Sequence, residues 1–345
     1  MSIRILGLGA LVCSLLVACA GLGFRPSAEE YYAIGMAYLE LGKYAEAAVW
    51  LNRAKGVDKT KVASEYNLGR IAFETGDYRE ALRRFEGLLK KDPQNLLVLK
   101  ATAYTHIKLQ NIEEAQARYQ QVLALAPENA DDGYNYALVL YVMEQYDQSE
   151  QVLAAYPFAL QENKEALLLF ARTQKAQQKP EAVDRYAQWL ATYEEDHEPG
   201  MAQVRTEYAS ALEAGGFYAR AVEEYRKALT ELPASANPED LSPATVRYTL
   251  ARLLLIADPE SPEGITELTQ ALREGFDDAE ALESLMDEEG ITQAHKTEIR
   301  RLIDEGPPVE EAPTDAEAAL VLDESPDAIE KADAVLPKEA PRDVQ

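Results

Sequence analysis

The sequence is poor in cysteine, in histidine and in positive charge. Of 345 residues, two are Cys (Cys13 and Cys19) and three are His (His106, His197 and His295). Beyond Cys19 there is no thiol for a disulfide, a thiolate metal site or a nucleophile. The histidines are scattered, and no His-x-x-x-His pair, Cys-x-x-Cys pair, Gly-rich phosphate loop or Gly-x-Ser-x-Gly elbow is present. Without these constellations the chain reads as a non-enzyme that needs no metal and no cofactor. Lys and Arg together number 34 against 60 Asp and Glu, a formal net charge of -26. Neutralising phosphates takes a basic surface, so nucleic acid is excluded as a partner. The same charge excludes a face that spreads on anionic lipid.

What the sequence does have is a repeat. The stretch 28–95 contains two copies of one unit, 34 residues apart. Gly35 matches Gly69, Gly42 matches Gly76, Tyr44 matches Tyr78 and Ala47 matches Ala81. The spacing predicts a helix over 30–41 that turns back on a second helix over 44–54. Gly42 permits the backbone conformation that ends the first helix. The small residues Gly35 and Ala47 let the two helices approach, and Ile34, Leu51 and Ala54 fill the space between them. One hairpin cannot bury its apolar face alone, so the copies must stack.

At Tyr31, Ile34, Gly35, Tyr38, Ala47, Leu51 and Ala54 the chain resembles the tetratricopeptide repeat (TPR) family. The resemblance implies an all-α, right-handed superhelical solenoid. Six TPR-like repeats are expected over 28–235, at 28–61, 62–95, 96–129, 130–163, 164–197 and 201–235. In the third, Gln110-Asn111 replaces the turn glycine, with Asn111 the residue suited to a left-handed conformation. In the fifth, the turn is one residue short. A degenerate seventh hairpin, with helices over 244–257 and 265–276, and two capping helices, 279–287 and 292–305, complete 236–305. Solenoids need such a cap, because the last apolar face would otherwise meet water.

The family lines its inner, concave face with fixed positions of the first helix of each repeat. Carried over, these are Tyr32 in the first repeat; Tyr66, Arg70 and Phe73 in the second; and Lys100, Tyr104 and Lys108 in the third. Tyr134 and Tyr141 follow in the fourth, and Arg172 and Lys175 in the fifth. Tyr and Arg dominate binding hot spots. The resemblance therefore implies a groove over repeats one to four that takes an extended or helical partner peptide, with an acidic element near the basic residues. A subclass that clamps a C-terminal carboxylate is disfavoured: Asn67 and Asn135 sit at plausible places, but Met36, Arg70 and Tyr104 stand where its further Asn belongs.

The N-terminus carries a separate signal. Met1–Ala18 has one positive residue, Arg4, then an apolar run from Ile5 to Val17, too short for a good membrane span and shaped like a secretory signal. Its end, Leu16-Val17-Ala18-Cys19, resembles the lipobox of bacterial lipoproteins. By that resemblance 1–18 is removed and Cys19 is lipidated. Ala20 after the cysteine favours the outer membrane, with the solenoid facing the periplasm. Several acyl chains on one residue would anchor stably. The lipidated N-terminus and linker, 19–27, keep the first repeat near the membrane. At the other end, 306–345 holds eleven Asp or Glu against Lys331, Lys338 and Arg342 and is interrupted by six prolines. That composition reads as an acidic disordered tail.

The expected work is that of a scaffold or adaptor lipoprotein in a cell-envelope assembly, with envelope proteins or peptides as partners. The alternative is a TPR subunit serving a periplasmic solute-binding protein or transporter in ligand handling.

Overall fold

The computed structural model describes residues 26–157, 159–193, 200–232 and 241–308. The signal segment, Cys19, His197, Pro233 and the acidic stretch from 309 lie outside the described residues, as does most of the linker. The described residues are all-helical, and none of their helices is long and apolar enough to cross a membrane. The chain divides into two compact units, 1–217 and 218–345. The division falls in the turn of the sixth expected repeat.

The first unit is a series of helical hairpins. They are α1 (Ala28–Glu40) with α2 (Tyr44–Ala54), α3 (Asp58–Glu74) with α4 (Tyr78–Leu89), and α5 (Leu96–Lys108) with α6 (Ile112–Leu125). Next come α7 (Ala130–Val142) with α8 (Tyr146–Ala154), and, after the short α9 (Ala159–Glu162), α10 (Lys164–Ala176) with α11 (Glu181–Tyr193). The last helix, α12 (Met201–Ala214), packs on α11. The second helix of the first hairpin spans 44–54 as the spacing predicts, and the first begins two residues earlier than expected.

Two local devices set the period. The turn device is a left-handed residue after each first helix. Gly42, Gly76, Gln110, Glu144 and Gln178 all have φ between 56° and 81°, each 34 residues after the last. Each following residue returns a backbone hydrogen bond into the first helix, as in Asp77 N–H to Ala72 O at 2.8 Å. In the third turn the residue that goes left-handed is Gln110, not Asn111 as the residue type suggested. Asn111 has φ -90° and instead starts α6. Position in the turn outranks intrinsic preference here. The missing residue of the fifth turn is real but lies beyond the left-handed position. Ala182 follows Gln178 by four residues, whereas Ala47 follows Gly42 by five, and both small residues are buried.

The capping device is a side chain at the start of four of the first helices. Ser27 accepts from Glu30 N–H, Asn95 from Val98 N–H, Asn129 from Asp132 N–H and Asn163 from Ala166 N–H, all near 3 Å. These N-caps satisfy donors that the helix itself leaves orphaned. They keep the 34-residue period except at 61, where Lys61 stands. With no cap there, α3 runs back to Asp58, four residues ahead of the expected repeat boundary. The buried Thr60 hydroxyl closes that join by donating to Ala54 O at 2.6 Å.

Packing follows from these devices. Leu51 and Phe85, both essentially buried, are the large residues of α2 and α4 that face the small residues of α1 and α3. A Cβ on Gly69 would lie 2.5 Å from the Phe85 ring. Successive clusters then bury the faces between hairpins, one around Leu51, Leu68 and Ile71, the next around Phe85, Leu88, Val98 and Leu99.

The second unit holds α13 (Tyr218–Glu231), α14 (Pro243–Ala257), α15 (Glu263–Arg273), α16 (Ala279–Leu285) and α17 (Gln293–Glu305). α14 and α15 overlap the stretches 244–257 and 265–276, and α16 and α17 the stretches 279–287 and 292–305. Their core joins Tyr248, Leu255 and Leu268 to Leu285, Ile299 and Leu302. Tyr248 stacks on Phe276 at 4.1 Å and its hydroxyl donates to Ala281 O, tying α14 to α16.

Replacing Gln110, Glu144 or Gln178 by Gly should each raise stability by about 0.5–1 kcal/mol, read by urea denaturation. Relief of the left-handed strain exceeds the entropy glycine adds to the unfolded chain. Gly69→Ala should lower stability by roughly 1–3 kcal/mol through overpacking against Phe85. His106 supplies a pH effect. It is buried in α5, and burial pulls its pKa below 6.5; Arg118 pulls the same way, while Glu114 and Glu86 oppose. The unfolded chain therefore binds the proton more readily, and stability falls as pH drops through and below about 6.5. In His106→Gln that component vanishes, so urea midpoints of the two proteins should converge on acidification.

Candidate functional site

The first helices of neighbouring hairpins touch: α1 meets α3, α3 meets α5 and α7 meets α10. They form one face of the first unit, and every residue predicted for the groove sits on them. The side chains at that face differ sharply in what they have left to offer.

Tyr32 and Tyr66 are half-buried. Tyr32 accepts from Asn67 Nδ2 at 3.1 Å, and Tyr66 packs on the Phe85 ring at 5.7 Å. Burial pushes the Tyr66 phenol up, with Arg70 opposing. Arg70 itself is exposed and donates to Asn67 Oδ1 at 3.2 Å. Asn67 is thereby consumed, because its amide also donates to Ala63 O. This agrees with the disfavoured carboxylate clamp.

The centre of the face is more open. Phe73 lies 5.2 Å, ring to ring, from both Tyr78 and Tyr104. Tyr104 is 44% exposed, and Lys108 Nζ stands 5.4 Å from its ring centroid, a cation–π contact. An aromatic surface with a cation at its edge is thus presented to solvent by α3, α4 and α5.

Farther on, the basic residues are mostly answered from within. Lys100 meets the buried carboxylate of Asp132 at 2.5 Å. Arg172 makes a two-pronged pair with Glu207, Nε to Oε2 at 2.8 Å and Nη2 to Oε1 at 2.9 Å. Burial works against the Arg172 charge, and Glu207 more than offsets it, holding the guanidinium above its usual range. The fully buried Tyr186 also donates to Glu207 Oε2, and burial plus that carboxylate push its phenol up. Tyr134 is half-buried in the cluster of Ala137, Leu169 and Phe170, and Tyr141 stands edge-on to Tyr146 at 5.5 Å.

The sequence places Arg70, Lys100, Lys108, Arg172 and Lys175 on one inner face, with an acidic partner element expected near them. The structure neutralises Lys100 and Arg172 with Asp132 and Glu207, two residues that the sequence reading did not single out. A signal was present. For Glu207 it is the offset: Tyr32–Asn67 and Arg172–Glu207 are both 35 residues apart, one period plus one, whereas Asp132 follows Lys100 by only 32 and lies outside that pattern. Among the described residues no group of three or more His, Cys, Asp or Glu could hold a metal ion.

With this geometry in view, comparison with known proteins is informative. Residues 28–61 and 72–131 each match a family model described as tetratricopeptide repeat. A protein of Treponema pallidum (strain Nichols), named an uncharacterized lipoprotein, is 27% identical over 142 residues, covering 41% of this chain and 72% of that one. Among solved structures, a tetratricopeptide repeat protein from Parabacteroides merdae aligns over 75% of this chain and 97% of its own, at 21% identity and a TM-score of 0.50. PilW, a type IV pilus biogenesis factor, aligns over 65% and 98% at 19% identity and a TM-score of 0.49.

Glu207→Ala would leave the Arg172 guanidinium part-buried without its carboxylate and Tyr186 without an acceptor. A loss of roughly 1–3 kcal/mol is expected in urea denaturation. Tyr186→Phe should cost less, about 1 kcal/mol, since it removes one hydrogen bond and leaves the ion pair.

Proposed function

Because this chain is a tetratricopeptide-repeat protein, we propose that it is an interaction scaffold of a bacterial cell envelope. It is tethered by lipid at Cys19 and holds a peptide segment of a partner protein on the face built by the first helices. The observation that carries the reading is the Phe73–Tyr78–Tyr104–Lys108 surface. It combines an exposed aromatic ring, a second ring packed against it and a cation, Lys108, that has no ion pair among the described residues. Exposed aromatic rings of this kind give large contact area for little loss of side-chain freedom. Tyr32 and Tyr66 on one side, and Tyr134 and Tyr141 on the other, extend the face as walls, while Lys108 and Arg70 supply positive charge at its edge.

The lipid anchor is supported by the Leu16-Val17-Ala18-Cys19 sequence and by the lipoprotein name of the Treponema relative. An anchored scaffold of this kind would face the periplasm, with partners among envelope proteins.

Crosslinking in intact cells followed by affinity recovery tests both parts. In Tyr104→Ala/Lys108→Ala, whose replaced side chains are exposed, partner recovery should fall about tenfold, the effect of losing one to two kcal/mol at a hot spot. Circular dichroism should stay unchanged. Unchanged recovery from the folded variant would remove the groove reading. Cys19→Ala should release the protein from the membrane fraction; retention there would remove the anchor.

A further inference from the structure

The stack begins on a helix side that nothing precedes. In the second and third hairpins, one side of the first helix is covered by the hairpin before it. Leu68 and Ile71 of α3 cluster with Leu39 and Leu51 of the first hairpin, and Val98 and Leu99 of α5 with Leu88 and Leu89 of the second. Moved back by whole periods, these four positions fall on Ile34, Ala37, Glu30 and Tyr31 of α1. Leu68, Ile71, Val98 and Leu99 are at most 7% exposed, whereas none of the four α1 residues is buried. Tyr31, Ile34, Tyr38 and Leu41 follow one another at helical spacing, so the end of the stack carries an apolar stripe. Leu41, at its far end, is 68% exposed.

Aromatic rings and cations border this stripe. The Trp50 ring of α2 stacks on Tyr31 at 5.8 Å, where the second hairpin has the ion pair Arg84–Glu65 at the same two positions. The Arg53 guanidinium lies 4.7 Å from the Trp50 ring and 5.9 Å from Tyr31, and Lys43 lies 6.0 Å from Tyr38. Among the described residues neither cation has an ion pair, and the Trp50 N–H and the Tyr31 and Tyr38 hydroxyls make no hydrogen bond. The carboxylates at the start of α1 are already answered, Glu29 by Lys59 at 3.0 Å and Glu30 by the Ser27 N–H at 2.6 Å. Glu40 and Glu46 of the same hairpin formally balance Lys43 and Arg53, so charge alone selects no anionic surface. Rings with an apolar body and an unused polar edge, beside cations, are the side chains that settle at a membrane–water interface.

We propose that this end of the stack lies on the bilayer surface, with Tyr31, Ile34, Leu41 and Trp50 at headgroup level and Arg53 and Lys43 on lipid phosphates. The inference rests on the lipid anchor at Cys19 and adds the face that meets the membrane. The length of chain between anchor and helix selects the occupant. From Cys19 to Ala28 the extended reach is at most about 32 Å. The 13 residues of α1 span roughly 20 Å, so the whole stripe lies within that tether. Contact with the bilayer is intramolecular once the anchor is inserted, and a small face then suffices. The net charge of -26 opposes adsorption to anionic lipid, and a ring contact with zwitterionic lipid needs no such attraction. Seated on this end, the first unit leaves its groove face open to partners.

Tryptophan fluorescence tests it. The chain has two Trp, and Trp189 is buried in the fifth repeat at 5% exposed. The lipidated chain, with Cys19 acylation verified by mass spectrometry, is reconstituted into phosphatidylcholine vesicles and into matched vesicles brominated near the top of one acyl chain. Wild-type emission should be lower in the brominated vesicles, the loss approaching the share of one Trp in two. Trp50→Phe, which keeps a ring on Tyr31, should show no loss. Equal wild-type emission in both vesicles, with the protein floating with each, overturns the docking and leaves the anchor standing. Acrylamide then identifies the true cover, and both answers count against the bilayer. Shielding of Trp50 that grows with protein density assigns the face to a second copy, and shielding independent of density assigns it to the linker 19–27. A loss that persists in Trp50→Phe comes from Trp189 and overturns the docking as well. Unacylated Cys19, or protein left behind when the vesicles float, removes the anchor and the docking with it.

Discussion

The first two hairpins each depend on one close approach: a large side chain of the second helix, Leu51 or Phe85, seated against a glycine of the first. At Gly69 the gap left for Phe85 is smaller than a methyl group. The approach fixes where the two helices cross, and the left-handed residue after the first helix fixes how the chain returns to make it. Once both are set, the apolar faces outside the hairpin cannot be buried within it. They are buried only by the next copy, so the stack follows from the local geometry.

The same geometry sorts the polar residues. Stacking brings the first helices of neighbouring repeats side by side, with contacts one period plus one residue apart. Acidic and basic residues at that offset neutralise each other, as Arg172 and Glu207 do. An acidic chain can therefore carry many cations on one face and still offer few of them to a partner. What remains available is sparse and specific: the Tyr104 ring with Lys108 at its edge, and Lys175 in the cleft beside the Arg172–Glu207 pair. Affinity on such a face would rest on a small number of contacts rather than on overall charge.

Reading the groove from residue type alone treated Lys100, Arg172 and Lys108 as equals. They are not, because side-chain availability depends on what the neighbouring helix presents. Tyr66 and Tyr104 show the same limit. Both are tyrosines on first helices, yet one is half-buried against Phe85 and the other stands open. The third turn gives a similar lesson on the backbone. Asn is the better left-handed residue, yet Gln110 takes that conformation because the 34-residue register puts it there.

What is local and periodic can be read along the chain. The 34-residue period, the paired helices, the small positions at Gly69 and Ala81, and the closing helices after 279 were all legible. Each depends on residues a few positions apart. The N-caps at Asn95, Asn129 and Asn163 recur in the same period and depend on residues just as close. The tertiary structure alone decided which charges are spent and which are free. Arg172 on α10 and Glu207 on α12 are separated by α11, and whether they meet depends on the angle and distance at which those helices pack. A pattern along one chain does not encode that geometry until the hairpins are stacked.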